Sequence, residues 1–266
     1  MSRITEAFTA ARKSRRAAFV AYVTAGDPDL GRTVEVARAL RKGGADVLEL
    51  GVPFSDPIAD GPTNQRAAER ALAAGTTLTG VLECVRSIRA AGEDLPVVLF
   101  TYANPVVRYG IERFAEDAAA SGVDGVLFTD VPVEELGRFA PALDQWRLDP
   151  ILLATPTSTP KRVKAAARRG RGFLYLVART GVTGARRDLD AALESHAKAA
   201  RKASRLPVAV GFGISTPGQV ARVARIADGV VVGSAIVDRI GAIGDSDDLA
   251  DAVQRFVTPL AEACRR

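Results

Sequence analysis

Eight short apolar runs, separated by segments of helical character, constrain this chain more than any other feature. The runs are AFVAYVT (18–24), VLELG (47–51), PVVLFTY (96–102), GVLFTD (125–130), ILLAT (151–155), GFLYLVA (172–178), PVAVGFG (207–213) and GVVVGSA (229–235). They are nearly continuous rather than alternating in polarity, as strands covered on both faces must be. Between the first two, Leu30, Val34, Ala37 and Leu40 recur at helical spacing, opened by Asp27-Pro28-Asp29 and stopped by Gly43-Gly44. The same reading predicts helices over 64–74, 78–91, 111–120, 134–146 with a kink or break at Pro141, 160–169, 189–202, 215–226 and 248–263. Ile4, Phe8 and Ala11 share one face of a leading helix suited to cap the bottom of a barrel. No glycine-rich dinucleotide fingerprint follows the first strand, so the pattern predicts a closed (β/α)8 barrel rather than a doubly wound open sheet. At 266 residues and 47% hydrophobic, one domain spanning 1–266 is expected.

The balance of 36 basic and 31 acidic residues gives a net charge of +5, which would point to a polyanion only if the basic residues were clustered. Arg15-Arg16, Arg168-Arg169 and Arg186-Arg187 lie far apart and only 6% of residues are aromatic, so no nucleic-acid partner is expected. Cys84 and Cys264 belong to no CxxC pair, which predicts neither a disulfide scaffold nor a zinc site. No apolar run approaches the ~18 residues of a membrane span, and MSRITEAFTAARKSRR lacks a signal-peptide core. No membrane association and a cytoplasmic location are therefore expected.

In such a barrel the chemistry is placed at the carboxyl ends of the strands. The stretch LELGVPFSDPIADGP (48–62) is the strongest candidate: a buried strand delivers Glu49, and the loop behind it carries Asp56 and Asp60. A carboxylate at the end of a buried strand is paired, hydrogen-bonded or used. Taken singly, Asp56 and Asp60 are also ordinary turn residues before Pro57 and Gly61. Other candidates at strand ends are Asp27, Tyr102, Asn104, Asp130, Tyr175, Thr183, Gly184, Phe212, Gly213, Gly233 and Ser234. The single histidine, His196, falls within a helix, as do the lysines or near it, so neither a histidine triad nor a Schiff-base lysine is expected. Carboxylates and tyrosines remain for proton transfer, with Glu49 and Asp60 as the leading pair. Gly211-Phe212-Gly213 and Val232-Gly233-Ser234, closing the last two strands, form the usual phosphate position of this fold. The glycines also suit any tight βα turn.

The motifs LELGVPFSDPIADGP, YAN at 102–104, TDVPVEE at 129–135, GVTG at 181–184, GFGIST at 211–216 and VGSAIV at 232–237 together resemble the tryptophan synthase alpha subunit family over nearly the whole chain. That resemblance implies cleavage of indole-3-glycerol phosphate to indole and glyceraldehyde 3-phosphate, with no metal or organic cofactor in this chain. It also implies a partner beta subunit that carries pyridoxal phosphate, in an alpha-beta-beta-alpha heterotetramer. Carried over by motif, Glu49 would move a proton to C3 of the indole and Asp60 would face the indole N–H. Tyr102 and Tyr175 would belong to the substrate-binding set, the latter near the glycerol-phosphate chain, and Phe212 would pack on the indole. Tyr22 stands where the family more often has phenylalanine beside the indole. The N–H groups of Gly184, Gly213, Gly233 and Ser234 would hold phosphate, and Thr183 would latch to Asp60. Pro53, Phe54, Asp56, Pro57, Asn104 and Pro132 lie on the rim where a beta subunit would dock. Phe128-Thr129, Ala178-Arg179-Thr180 and Ala185-Arg186-Arg187 depart from the commoner pattern. A stand-alone lyase that releases free indole shares this chemistry, and a catalytically silent barrel that only activates a partner is the alternative of another class.

Overall fold

A computed structural model describes residues 1–155, 157–177, 186–211 and 213–266, with the backbone alone for 186–192. Its strands are β1 (Ala18–Thr24), β2 (Val47–Gly51), β3 (Val97–Thr101), β4 (Gly125–Phe128), β5 (Asp149–Ala154), β6 (Leu174–Val177), β7 (Val208–Gly211) and β8 (Gly229–Val232). They pair in parallel, each with its sequence neighbour, and β8 closes on β1. The expected barrel is what forms.

The outer ring begins with α2 (Leu30–Lys42), preceded at the chain start by α1 (Arg3–Lys13). It continues with α3 (Pro62–Ala73), α4 (Leu78–Ala90), α5 (Ala103–Tyr109), α6 (Ile111–Ser121) and α7 (Ala140–Gln145). The remainder are α8 (Pro160–Arg169), α9 (Arg186–Ala203), α10 (Pro217–Ile226), α11 (Ser234–Ile243) and α12 (Leu249–Glu262). Local chemistry sets many of the starts. Asp29, Thr77, Thr159 and Thr216 each accept a first-turn N–H from their helix, and Thr216 forms a full capping box with Gln219. The helix expected over 134–146 is broken as Pro141 requires: a 3-10 turn at Glu135–Arg138 is followed by α7 with the proline in its first turn. The short helix α5 was not expected. It follows β3 directly, and its cap comes from another strand: Asp130, just beyond β4, accepts the Ala103 N–H at 2.9 Å.

Following the strand register round the barrel sorts the inward side chains into layers taken from alternate strands. The lowest layer contains Gly125 and Gly229, and α1 fills the space their missing side chains leave. A Cβ on Gly125 would lie 3.0 Å from Ile4, and one on Gly229 would lie 2.8 Å from Phe8. Ile4, Phe8 and Ala11 are buried against Val20, Val47, Val98 and Phe173, so α1 is the floor of the barrel interior. Higher up, Glu49, Leu127, Tyr175 and Val231 form one layer, with Tyr22, Phe100, Leu153 and Gly211 above it. Below them the interior is apolar except at its base, where Asp149 of β5 is bonded by Ser2 and Arg171.

Candidate active site

Glu49 is the inward residue of β2 at the upper end of the barrel and is fully buried. Its register partner on β1 is Tyr22, and Tyr175 shares its layer from β6. Neither carboxyl oxygen has a hydrogen-bond partner. Desolvation without compensation pushes the Glu49 carboxyl up to about 8. Burial also keeps the Tyr22 and Tyr175 phenols protonated, with the Asp60 carboxylate adding to it at Tyr22. Two glycines make room for those phenols. A Cβ on Gly51 would come within 2.4 Å of the Tyr22 hydroxyl, and one on Gly211 within 2.3 Å of the Tyr175 hydroxyl. The Tyr22 ring meets Phe100 edge-on at 5.1 Å, giving the upper layer an aromatic wall.

Asp60 reaches the same mouth from the loop between β2 and α3. Burial raises its carboxyl, while donors from Tyr102 and Asn64 act in the opposite direction. Tyr102 donates to Asp60 Oδ2 at 3.0 Å and accepts the Ala59 N–H at 3.0 Å. The Phe54 ring lies 5.3 Å from the Tyr102 ring. Tyr102 is thus a strut between β3 and the carboxylate loop, with its hydroxyl committed to protein groups. Gln65 braces the loop from α3, donating to the Asp60 carbonyl at 3.0 Å.

Above β7 and β8, Gly213 adopts a left-handed backbone (φ +72°) that a side chain would strain. Gly233 precedes α11, which starts at Ser234 with no side-chain cap. The Ile236 and Val237 N–H groups donate to the Gly233 carbonyl, and those of Ser234 and Ala235 have no carbonyl within the helix to bind, the arrangement that receives anions. Thr183, Gly184 and Phe212 lie outside the described residues.

Two other strand-end candidates are occupied structurally. Asp27 is held by Arg70 of α3 through bonds of 2.8 and 2.7 Å, and Asp130 caps α5. On the rim Asp56, Asn104 and Pro132 are exposed and Phe54 and Pro57 half-buried, whereas Pro53 is buried beneath them and shapes the loop rather than its surface. Ile58, not expected from sequence, is 87% exposed on the same loop. A cavity of about 240 Å³ opens beside the mouth between the segment after β4 and α8, sharing Thr129 and Leu153 with the barrel interior. Among the described residues no cluster of side chains suits a metal ion, and no helix is long and apolar enough to cross a membrane.

Besides Ile58, the sequence reading missed Asn64 and Gln65. Their signal was positional: they stand four and five residues after Asp60, where the first turn of a helix folds back on the preceding loop.

A closed barrel with a protonated, unpartnered carboxylic acid at mid-mouth and a second carboxylate poised on a loop defines a barrel enzyme of acid–base type. A family model described as tryptophan synthase alpha chain matches residues 8–265. The tryptophan synthase alpha chain of Geobacter sulfurreducens is 51% identical over 263 residues, covering 99% of both chains. That of Phenylobacterium zucineum is 48% identical over 265 residues, covering 99% of this chain and 96% of the relative. Tryptophan synthase subunit alpha from Legionella pneumophila superposes with a TM-score of 0.91 at 37% identity, covering 99% and 98% of the two chains. A chain of Mycobacterium tuberculosis tryptophan synthase in its aminoacrylate-bound form does so with 0.88 at 36% identity and full coverage of both. The chain belongs to the tryptophan synthase alpha chain family.

Proposed function

We propose that Glu49 and Asp60 carry the reaction of this family, the retro-aldol cleavage of indole-3-glycerol phosphate to indole and glyceraldehyde 3-phosphate. The observation that supports this most is the ionisation of Glu49. A carboxyl raised to about 8 holds its proton at neutral pH, and a proton donor is what the first step requires. Indole is a poor leaving carbanion, but protonation at C3 turns it into an electron-withdrawing indolenine. Asp60, receiving the ring N–H, stabilises the positive charge that protonation creates. Glu49, now ionised, accepts the proton of the side-chain hydroxyl as the carbon–carbon bond breaks. The electron sink is the substrate's own ring, so this chain supplies the chemistry without an organic cofactor.

Tyr22 and Phe100 suit the walls of an indole pocket, and Tyr175 suits the approach to the glycerol chain. Gly213, Gly233 and Ser234, with Gly184, would hold the phosphate through backbone N–H groups. Phe212 would close on the indole and Thr183 would latch to Asp60. Family membership favours a synthase subunit over a stand-alone lyase or a catalytically silent barrel. We place the pyridoxal-phosphate beta subunit on the rim formed by Phe54, Asp56, Pro57, Asn104 and Pro132, in an alpha-beta-beta-alpha assembly in the cytoplasm. The exposed Ile58 beside those residues gives that rim an apolar anchor.

The test is turnover of indole-3-glycerol phosphate by the purified chain. Glu49→Gln and Asp60→Asn should each lower it by at least ~10²-fold, the contribution of one acid–base group; near-parent turnover would remove that residue from the role. Adding a beta subunit should raise parent turnover. A parent already fast alone and indifferent to the partner would identify a stand-alone lyase.

A further inference from the structure

Asp130 is exposed and shares the lining of the cavity beside the mouth with Arg162, the setting of an ordinary surface ion pair. No such pair forms. Arg162 meets Glu134 at 3.1 Å instead, and among the described residues Asp130 meets no cation. Its carboxylate turns to the end of the neighbouring strand, where it accepts the Ala103 N–H at 2.9 Å.

That amide is one of two fixed points around Tyr102. On the other side the ladder of β3 and β4 runs one residue past the strands, with the Thr129 N–H on the Thr101 carbonyl at 2.9 Å. Thr129 and Asp130 thus hold the residues before and after Tyr102. Between them the Tyr102 backbone is extended (φ −104°, ψ 160°) and turns directly into α5, whose first residue is Ala103. Tyr102 does not cap this helix with its own side chain, because its hydroxyl is committed to Asp60 Oδ2 and the Ala59 N–H, each at 3.0 Å. The leading N–H of the helix is left for Asp130 to bind. Two side-chain hydrogen bonds, Asp130 to Ala103 and Tyr102 to Asp60, therefore join the segment after β4 to the carboxylate loop.

We propose that Asp130 is a positioning residue for Asp60, acting through Tyr102: it fixes the turn from β3 into α5 and so the direction in which the phenol is held out to the carboxylate. Without that bond the first turn of α5 loses its cap, and the residue before it gains freedom. The phenol then spends less time on Asp60, which loses both its orientation and a donor that favours its charged form. This rests on the role given to Asp60 above.

Two measurements test it. In the substrate-free protein, carboxyl 13C NMR follows Asp60, whose titratable and polar neighbours are Tyr102 from the end of β3, Tyr22 from β1 and Asn64 from α3, all uncharged. Tyr102→Phe should raise the Asp60 titration by about one pH unit, the scale of one lost hydrogen bond to a charged group. Asp130→Ala should move it in the same direction. Removing a negative charge can only lower a neighbouring carboxyl, so a rise reports the lost bond and not the lost charge. Asp130→Asn keeps an acceptor for the Ala103 N–H and should not raise it. In turnover, Asp130→Ala should lower kcat about tenfold at unchanged KM, the size of a lost helix cap and the pattern of an interaction used in the transition state. Asp130→Asn should restore it. In a Tyr102→Phe background Asp130→Ala should cause no further loss, because the two act as one unit. If Asp130→Ala does not fold, Asp130→Val, which also lacks an acceptor, is measured in its place. An Asp60 titration left unmoved, or the full loss repeated without the Tyr102 hydroxyl, overturns the proposal. Failure of the functional reading is distinguished because the NMR shift needs no substrate: an inactive parent whose Asp60 titration still follows Asp130 keeps the positioning and removes only the reaction.

Discussion

At the residue scale the decisive feature is a carboxyl kept where it is least comfortable. Glu49 has no partner for either oxygen, so the folded protein favours its neutral form and the unfolded chain does not. Below about pH 4.5 both states bind the proton and the residue costs nothing. As pH rises through 4.5 the unfolded chain releases the proton while the folded protein retains it, and stability falls until the folded group titrates near 8. At 1.36 kcal/mol per unit, that displacement sets an upper bound of about 5 kcal/mol. Glu49→Gln should therefore gain stability relative to the parent between pH 5 and pH 8, read as a growing separation of their urea midpoints. A separation that is constant with pH would show that the carboxyl is not held neutral. The same ionisation places the basic limb of the parent's kcat/KM near pH 8. A buried carboxyl that destabilises its own fold is what a site selected for proton transfer, not for packing, would show.

At the element scale, a repeated contact ties strands together at the end of the barrel away from the chemistry. Asp46, Asp124 and Asp228, lying just before β2, β4 and β8, accept the backbone N–H of Phe19, Val97 and Val208 at 2.8, 2.8 and 3.0 Å. Each crosses from one strand to the start of the strand before it, and each is paired with arginine. Asp46 meets Arg16, Asp124 meets Arg3 and Arg89, and Asp228 meets Arg201. Asp124→Ala would leave the buried Val97 N–H unsatisfied and remove the ion-pair partner shared by Arg3 and Arg89. A loss of about 3–5 kcal/mol in urea unfolding is expected, the usual result of breaking one side of a buried pair. Turnover per folded molecule should be unchanged. A loss below about 1 kcal/mol would mean that water replaces the carboxylate. Asp130 makes the same kind of bond at the opposite end, where it starts α5 and thereby sets the position of Tyr102.

At the scale of the whole molecule, the two ends of the barrel divide the work. The floor is closed by α1, with Ile4 and Phe8 over glycines and Asp149 tied off by Ser2 and Arg171; the mouth is polar, with a neutral acid and a braced carboxylate. Phe8 is 4% exposed and stacks on Phe173 at 5.2 Å. Phe8→Ala should cost about 3–5 kcal/mol, the range for removing a large aromatic side chain from a core. The kinetic constants of the remaining folded protein should not change. An altered KM would show that the floor is coupled to the mouth through the stacked layers, contrary to this division.

What the sequence determined by itself was the alternation and, through it, the barrel: continuous apolar strands need cover on both faces, and eight βα units close. It also determined which chemistry was available, because one histidine and lysines confined to helices leave carboxylates. LELGVPFSDPIADGP pointed to Glu49 and Asp60 because a charge at the end of a buried strand is hard to explain by packing. Tertiary structure alone decided how those groups behave. That Glu49 lacks any partner depends on which atoms surround it from four strands, which no local spacing reveals. Asp27 and Asp130, indistinguishable from Asp60 as strand-end carboxylates, were separated only by Arg70 approaching one and the Ala103 N–H the other. The helix α5 was invisible because its cap is supplied from beyond β4. Asn64 went unread because an asparagine in a first turn ordinarily serves its helix, and only the folded site leaves its oxygen unused.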